Sequence, residues 1–137
     1  MTEKENVAIL KEAYEYWNKN KERAFENWMN LLADDIQFRS LADGHEGMEF
    51  TRACHCKADV LRYFEELAGK WEMIHYTIDE FVAQGDRVVA IGKCHWRYIA
   101  TGKEVETPKV DIITMRDSKI VDFFELYDTQ RAIACTK

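Results

Sequence analysis

Two carboxylates late in the chain, Asp111 and Glu125, occupy positions that could support proton-transfer chemistry. The segments 109–115 (KVDIITM) and 120–128 (IVDFFELYD) flank the turn Arg116-Asp117-Ser118-Lys119 and read as a β-hairpin. Successive strand residues point to opposite faces, so Asp111 shares a face with Ile113 and Met115, and Glu125 shares one with Phe123 and Tyr127. An ionised carboxylate is costly to bury unless it is paired or hydrogen-bonded. Two such groups turned into one interior would push each other's proton affinities apart, leaving one as acid and one as base. The ordinary alternative is structural: Asp111 at a strand end on the solvent face or paired with Lys109 or Arg87, and Glu125 paired with an arginine such as Arg97 or Arg39.

Other chemistry-bearing residues are weaker. On the segment 87–100 the apolar set Val88, Ala90, Cys94, Trp96 and Tyr98 falls on even numbers. Lys93, His95 and Arg97 are thereby left on the opposite face, toward solvent or a partner subunit, and His95 is not expected to be catalytic. His45 lies in Asp43-Gly44-His45-Glu46-Gly47, a loop that could cover a cavity mouth. Cys54-His55-Cys56 lacks the second paired cluster of a zinc knuckle, so no metal is expected. Ser40 has no histidine or aspartate at usable spacing for a nucleophile. No phosphate-cradling glycine loop or dinucleotide fingerprint is present. Trp96 and Tyr127 are expected as walls of any interior cavity.

The elements that must position these groups follow from periodicity. Thr2 and Glu5 form a capping box opening a helix, in which Val7, Leu10, Tyr14 and Trp17 recur at helical spacing, widened by Ile9, Ala13 and Tyr16. A second helix is expected over 22–32, a strand over 36–41, and a third helix over 57–69 with Gly69 as its stop. Residues 42–56 resist assignment, although 48–54 fits a short strand. The rest reads as a β-meander: 74–83, 87–100, 104–115 and 120–128, with short connections at Gln84-Gly85-Asp86 and Thr101-Gly102-Lys103. Helices followed by sheet give an α+β fold, a single domain over 1–137. A long, strongly curved antiparallel or mixed sheet wrapped around the three helices of the N-terminal half would enclose a conical pocket, and periodicity does not decide whether that space is open.

The totals narrow the function classes. The chain has 137 residues, 25 acids against 19 bases and a net charge of −6. Its basic residues are scattered, so nucleic acid is not expected as a partner. No apolar run reaches the length of a membrane span, and residues 1–20 are too charged for a signal peptide. A cytoplasmic setting with reduced thiols is expected.

Leu32-Ala33-Asp34-Asp35-Ile36, then Asp117-Ser118-Lys119-Ile120-Val121 and Phe124-Glu125-Leu126-Tyr127-Asp128, in this order, resemble the nuclear transport factor 2-like superfamily, which includes ketosteroid isomerases and SnoaL-like polyketide cyclases. The resemblance implies the cone-like fold, no cofactor and a homodimer. It also implies an oxyanion pair. Counting back without a gap from Ala33-Asp34-Asp35 puts the helix-one tyrosine on Tyr16, and Val110-Asp111-Ile112 puts the neutral acid on Asp111. The usual base position, five residues after Asp35, is Ser40, and Phe64 stands near the place of a further tyrosine. Glu125 is the candidate replacement base.

Three readings remain at this level. The first is a cofactor-free enzyme moving a proton beside a carbonyl of a small, apolar, cyclic molecule (isomerisation, cyclisation or dehydration). It would use Asp111, Tyr16 and Glu125, with Ser40, Phe64, Trp96, Ile113, Phe123 and Tyr127 around the substrate. The second is a non-catalytic module holding such a ligand. The third is a dimeric association domain with a filled interior.

Overall fold

The computed structural model describes residues 2–21 and 24–137. Its elements run α1 (Glu3–Lys19), α2 (Ala24–Leu31), β1 (Leu32–Ser40), a 3₁₀ turn (Glu49–Thr51), α3 (Lys57–Lys70), β2 (Trp71–Gln84), β3 (Arg87–Tyr98), β4 (Glu104–Arg116), β5 (Lys119–Tyr127) and α4 (Thr129–Cys135). The start expected for the second helix, Glu22, lies outside the described residues. Three expectations are corrected and one element is added. Gly69 is inside α3 and does not end it; the strand beginning at Trp71 does. The segment 48–54 is not a strand: it holds the 3₁₀ turn Glu49–Thr51 and one isolated bridge from Cys54 to Phe38. The first strand starts at Leu32, directly after α2. Finally, α4 follows β5, capped by Asp128, whose side chain accepts from the Arg131 backbone N–H at 3.0 Å.

The Thr2 hydroxyl accepts from the Glu5 N–H at 3.1 Å and donates to the Glu5 carboxylate at 3.0 Å, so α1 opens on the capping box. Its buried positions are Asn6, Leu10, Ala13, Tyr14 and Trp17, a stripe at helical spacing. The sheet order is β1-β5-β4-β3-β2, with β1 and β5 parallel and the other pairs antiparallel. The mixed α+β architecture is as expected. Residues of α1, α2 and α3 share one apolar cluster with the inward residues of the strands, including Tyr14, Trp28, Val60, Phe64, Val88 and Ile113.

Sheet curvature has identifiable local causes. Strand β2 carries an irregularity between Met73 and His75 and a second between Ile78 and Glu80. Each extra residue reverses which parity faces inward. Trp71 and Met73 are buried before the first bulge; beyond it Tyr76 is buried, and His75 is turned to the outer face. Opposite the bend stands Gly92 of β3, paired with Ile78. A Cβ there would lie 1.9 Å from the Thr77 carbonyl oxygen and 2.7 Å from the Ile78 Cα. Only glycine permits this approach of two backbones. The hairpin turns use positive φ where the geometry demands it: Asp117 and Ser118, at +49° and +66°, form the two-residue link between β4 and β5.

Replacing Gly92 by alanine is therefore expected to lower stability by about 2–3 kcal/mol, at the upper end for overpacking against backbone that cannot move aside. Urea unfolding measures this, and an unchanged midpoint would show that the bend yields freely.

Candidate active site

The inward face of β4 carries Lys109 and Asp111, two residues apart and so on one side of the strand. On β5, Glu125 is the direct register partner of Asp111. Lys109 stands between the two carboxylates, its Nζ 2.5 Å from Asp111 Oδ1 and 3.3 Å from Glu125 Oε2. Asp111 is fully buried, and Lys109 and Glu125 nearly so. Two acids and one base are thus held together out of water, and phenols complete their bonding. Tyr14 of α1 and Tyr76 of β2 both donate to Asp111 Oδ2, at 2.5 and 2.8 Å. Tyr76 in turn accepts from Lys109 at 2.8 Å, and Tyr63 of α3 donates to Glu125 Oε1 at 2.5 Å. The short phenol–carboxylate distances are those of charge-assisted bonds.

These contacts revise the expected roles. Asp111 receives three donors and offers none, an arrangement for an ionised carboxylate and not for a neutral acid donating to a substrate. Tyr16 is a correction: it is 39% exposed and lies off the buried stripe of α1. The ungapped count from Ala33 missed by two residues, which on a helix turns a side chain through more than half a revolution. Tyr14, already on the stripe with Val7, Leu10 and Trp17, is the phenol that reaches Asp111. Phe64 likewise sits beside the residue that supplies the further phenol, Tyr63. Lys109 and Tyr76 were not among the expected site residues. The first could have been found from its two-residue spacing to Asp111; the second is hidden by the bulge in β2.

An aromatic cavity of about 100 Å³ adjoins this cluster. All four tryptophans of the chain (Trp17, Trp28, Trp71 and Trp96) line it, as do Tyr14, Tyr63, Tyr76 and Tyr127. Its polar wall is Lys109, Glu125 and Thr107. Of the residues expected around a substrate, Phe64, Trp96, Phe123 and Tyr127 are on the lining. Ser40, Ile113 and Asp111 are buried but are not lining residues. Ser40 bonds the Tyr127 hydroxyl at 2.9 Å, and in the β1–β5 register it is the partner of Glu125. His45 is exposed, with its ring Nδ1 3.1 Å from the Glu46 carbonyl. His95 faces outward on β3, as its parity implies. A wider recess of about 490 Å³ lies beyond Trp17, Phe64, Leu67, Trp71 and Trp96, which line both spaces.

Burial, followed by the Asp111 charge, holds the Tyr14 and Tyr76 phenols protonated well above the usual range; burial and then Glu125 do the same for Tyr63. For Lys109, burial alone would favour the neutral amine, but Asp111 and then Glu125 outweigh it and keep the ammonium above its ordinary range. The Cys94 thiol, on the cavity lining, is pushed up to about 11, chiefly by burial.

The SnoaL-like domain family matches residues 10–123. The chain belongs to this family. A search of curated protein sequences gives no match. Among solved structures, an NTF2-like protein of unknown function from Burkholderia pseudomallei superposes with a TM-score of 0.85 at 21% identity, over 100% of this chain and 99% of the other. TerC, co-crystallised with polyporic acid, gives 0.78 at 19% identity, over 96% and 97%. A ketosteroid isomerase-like fold from Catenulispora acidiphila in complex with trimethylamine gives 0.74 at 15%, over 93% and 91%. At these identities the likeness is one of fold. The SnoaL-like domain thus explains the frame, and the residues inside it must carry any account of activity.

The protonation states set a pH test. Above about pH 10 an unfolded chain loses protons from Tyr14, Tyr63, Tyr76 and Lys109 that the folded chain retains. Their contribution is complete below the ordinary pKa values and disappears as pH rises, by up to about 1.4 kcal/mol per group per pH unit. Urea unfolding between pH 8 and 11.5 should show stability level at first and falling steeply beyond pH 10. Level stability to pH 11.5 would contradict the protonated cluster.

Proposed function

We propose that this SnoaL-like protein is a cofactor-free acid/base catalyst that moves a proton beside the carbonyl of a small, flat, largely apolar ring compound. One observation carries the reading. Ser40, which stands where the family resemblance places the catalytic base, is paired in register with Glu125, a carboxylate that lines the cavity. The carboxylate has in effect moved one strand across while keeping its level in the sheet.

In this account Glu125 abstracts and returns the proton. Tyr63 and Lys109 hold its two oxygens, leaving lone pairs toward the cavity. Tyr14, Tyr76 and Lys109 form one wall of the cavity; each phenol gives its single proton to Asp111, so negative charge developing on a substrate oxygen would be met by the Lys109 ammonium in a site of low water content. Asp111, behind that wall, acts through them as a positioning residue. Twelve aromatic residues line the cavity, which suits a planar ring. The binding of polyporic acid by TerC is compatible with such a ligand class. On the outer face, Val89, Ile91, Val110, Ile112, Phe124 and Leu126 are half-buried and contiguous in register across β3, β4 and β5. A second copy of the chain covers this patch in the proposed homodimer. Four free thiols fit a reducing compartment, with the cytoplasm as the proposed location.

The second reading, a non-catalytic ligand holder, draws on the small volume of the cavity and on a charge cluster already satisfied internally. The two separate in one experiment. A small cyclic aryl ketone such as 2-tetralone is incubated with the protein in D₂O and exchange of its α-protons is followed by NMR. Because every tryptophan lines the cavity, fluorescence reports occupancy in the same samples. Exchange above the buffer rate is expected, reduced at least about a hundredfold in Glu125→Gln and unchanged in Tyr16→Phe. Tryptophan quenching without exchange would favour the holder, and wild-type exchange in Glu125→Gln would remove the proposed base.

A further inference from the structure

The outer face of the sheet holds a second cluster that the proposed chemistry does not use. His75 of β2 is the register partner of His95 on β3, and His95 is the register partner of Glu106 on β4. The three side chains form a row across three adjacent antiparallel strands, where neighbouring backbones run about 4.8 Å apart. One donor atom from each lies within 4.8 Å of the other two. The bulge that turns Tyr76 inward onto Asp111 is what turns His75 outward into this row.

We propose that His75, His95 and Glu106 form a binding site for one divalent transition-metal ion of the zinc type, with solvent in the remaining position. Three features favour it. The His95 ring is oriented from behind: its Nε2 is 2.7 Å from Glu104 Oε1. A carboxylate can only accept, so the proton of the neutral ring resides on Nε2, and Nδ1, 3.8 Å from Glu106 Oε2, keeps a lone pair for a cation. A carboxylate behind a metal-binding imidazole is the usual device for fixing its tautomer. Second, the Nδ1 atom of His75 is buried with no hydrogen-bond partner, whereas buried polar atoms are ordinarily satisfied. Third, two imidazole nitrogens and one carboxylate oxygen are a donor set that zinc accepts in tetrahedral sites with an open position. Zinc–ligand bonds of about 2.0–2.1 Å require donors roughly 3.3 Å apart, so the row must tighten. Glu106, about half exposed, is free to swing inward.

The neighbouring charges bear on the choice. Lys93 and Arg97, two residues either side of His95, share its face and oppose a cation. Glu72 and Glu104 are the register partners of Arg97 on either side and offset it. Such an ion would clamp β2, β3 and β4 from outside, on the reverse of the strands that carry Tyr76 and Lys109. The sequence alone gave no hint of it: the two histidines are twenty residues apart, and only a bulged register aligns them.

The test uses the full-length protein, stripped with a chelator and titrated separately with Zn²⁺ by calorimetry and with Co²⁺ by visible absorption. One equivalent per chain is expected, with the intense d–d bands of tetrahedral Co²⁺. Affinity should fall at least about a hundredfold in His75→Gln and in His95→Gln, and about tenfold in Glu104→Gln. Cys56→Ser, which removes the exposed thiol beside His55, should bind as the parent does. Metal-free circular dichroism and thermal unfolding of each variant check its fold, and Glu106→Gln serves as the ligand variant should either histidine variant misfold. Less than one equivalent, binding unchanged in the His95 and Glu106 variants, or loss in Cys56→Ser would overturn the proposal. No readout depends on catalysis, so failure here leaves the proton-transfer reading untouched.

Discussion

A buried ammonium held between two carboxylates is the constraint around which the interior is organised. Lys109, Asp111 and Glu125 are all withdrawn from water, and transferring charges of this kind into a protein costs several kcal/mol each unless they are paired and their remaining bonds are made. The chain meets that requirement with phenols taken from three different elements: Tyr14 from α1, Tyr63 from α3 and Tyr76 from β2. Each phenol brings an apolar ring to the cavity wall and a hydroxyl to the cluster. Polar satisfaction and hydrophobic packing are therefore achieved by the same side chains, which ties helix position to sheet register.

The strands reach the cluster because the sheet bends. The bulge between Met73 and His75 reverses the parity of β2 so that Tyr76 points inward, and Gly92 lets β3 approach the bent backbone. Beyond the cluster, aromatic rings fill most of the remaining volume, which leaves a small cavity whose polar surface is confined to one wall. A site of this form selects ligands by shape and by one or two polar atoms, since little else on its surface can hydrogen-bond.

Much of this was legible from residue types and spacing, and the limits have physical causes. Alternation correctly placed Asp111 and Glu125 on the inner face, because the one register shift of this hairpin, at Val121, falls before Phe123 and leaves the parity of 109–115 and of 123–127 intact. The same rule fails across a bulge, so Tyr76 was invisible as a site residue. On α1 the stripe through Leu10, Tyr14 and Trp17 marks the buried face, yet an ungapped count from the β1 entrance pointed to Tyr16; helix phase was the better guide. Pairing of Asp111 with Lys109 or Arg87 is among the structural alternatives open to the sequence, and the pair with Lys109 occurs. The second bond, to Glu125, depends on the β4–β5 register and is a tertiary fact. The closing helix α4 went unread, although Asp128 before Thr129 is a recognisable cap.

The central claim is that Lys109 and Asp111 are energetically one unit, and a double-mutant cycle on urea unfolding at pH 7 measures it directly. Lys109→Met alone leaves two unpaired buried carboxylates and is predicted to cost about 3–5 kcal/mol, as is usual when one partner of a buried pair is removed. Adding Asp111→Asn should recover part of that loss, giving a coupling energy of at least about 1 kcal/mol. Strictly additive losses would mean that the ammonium and the carboxylate are neighbours without being partners, and the organisation described here would have no anchor.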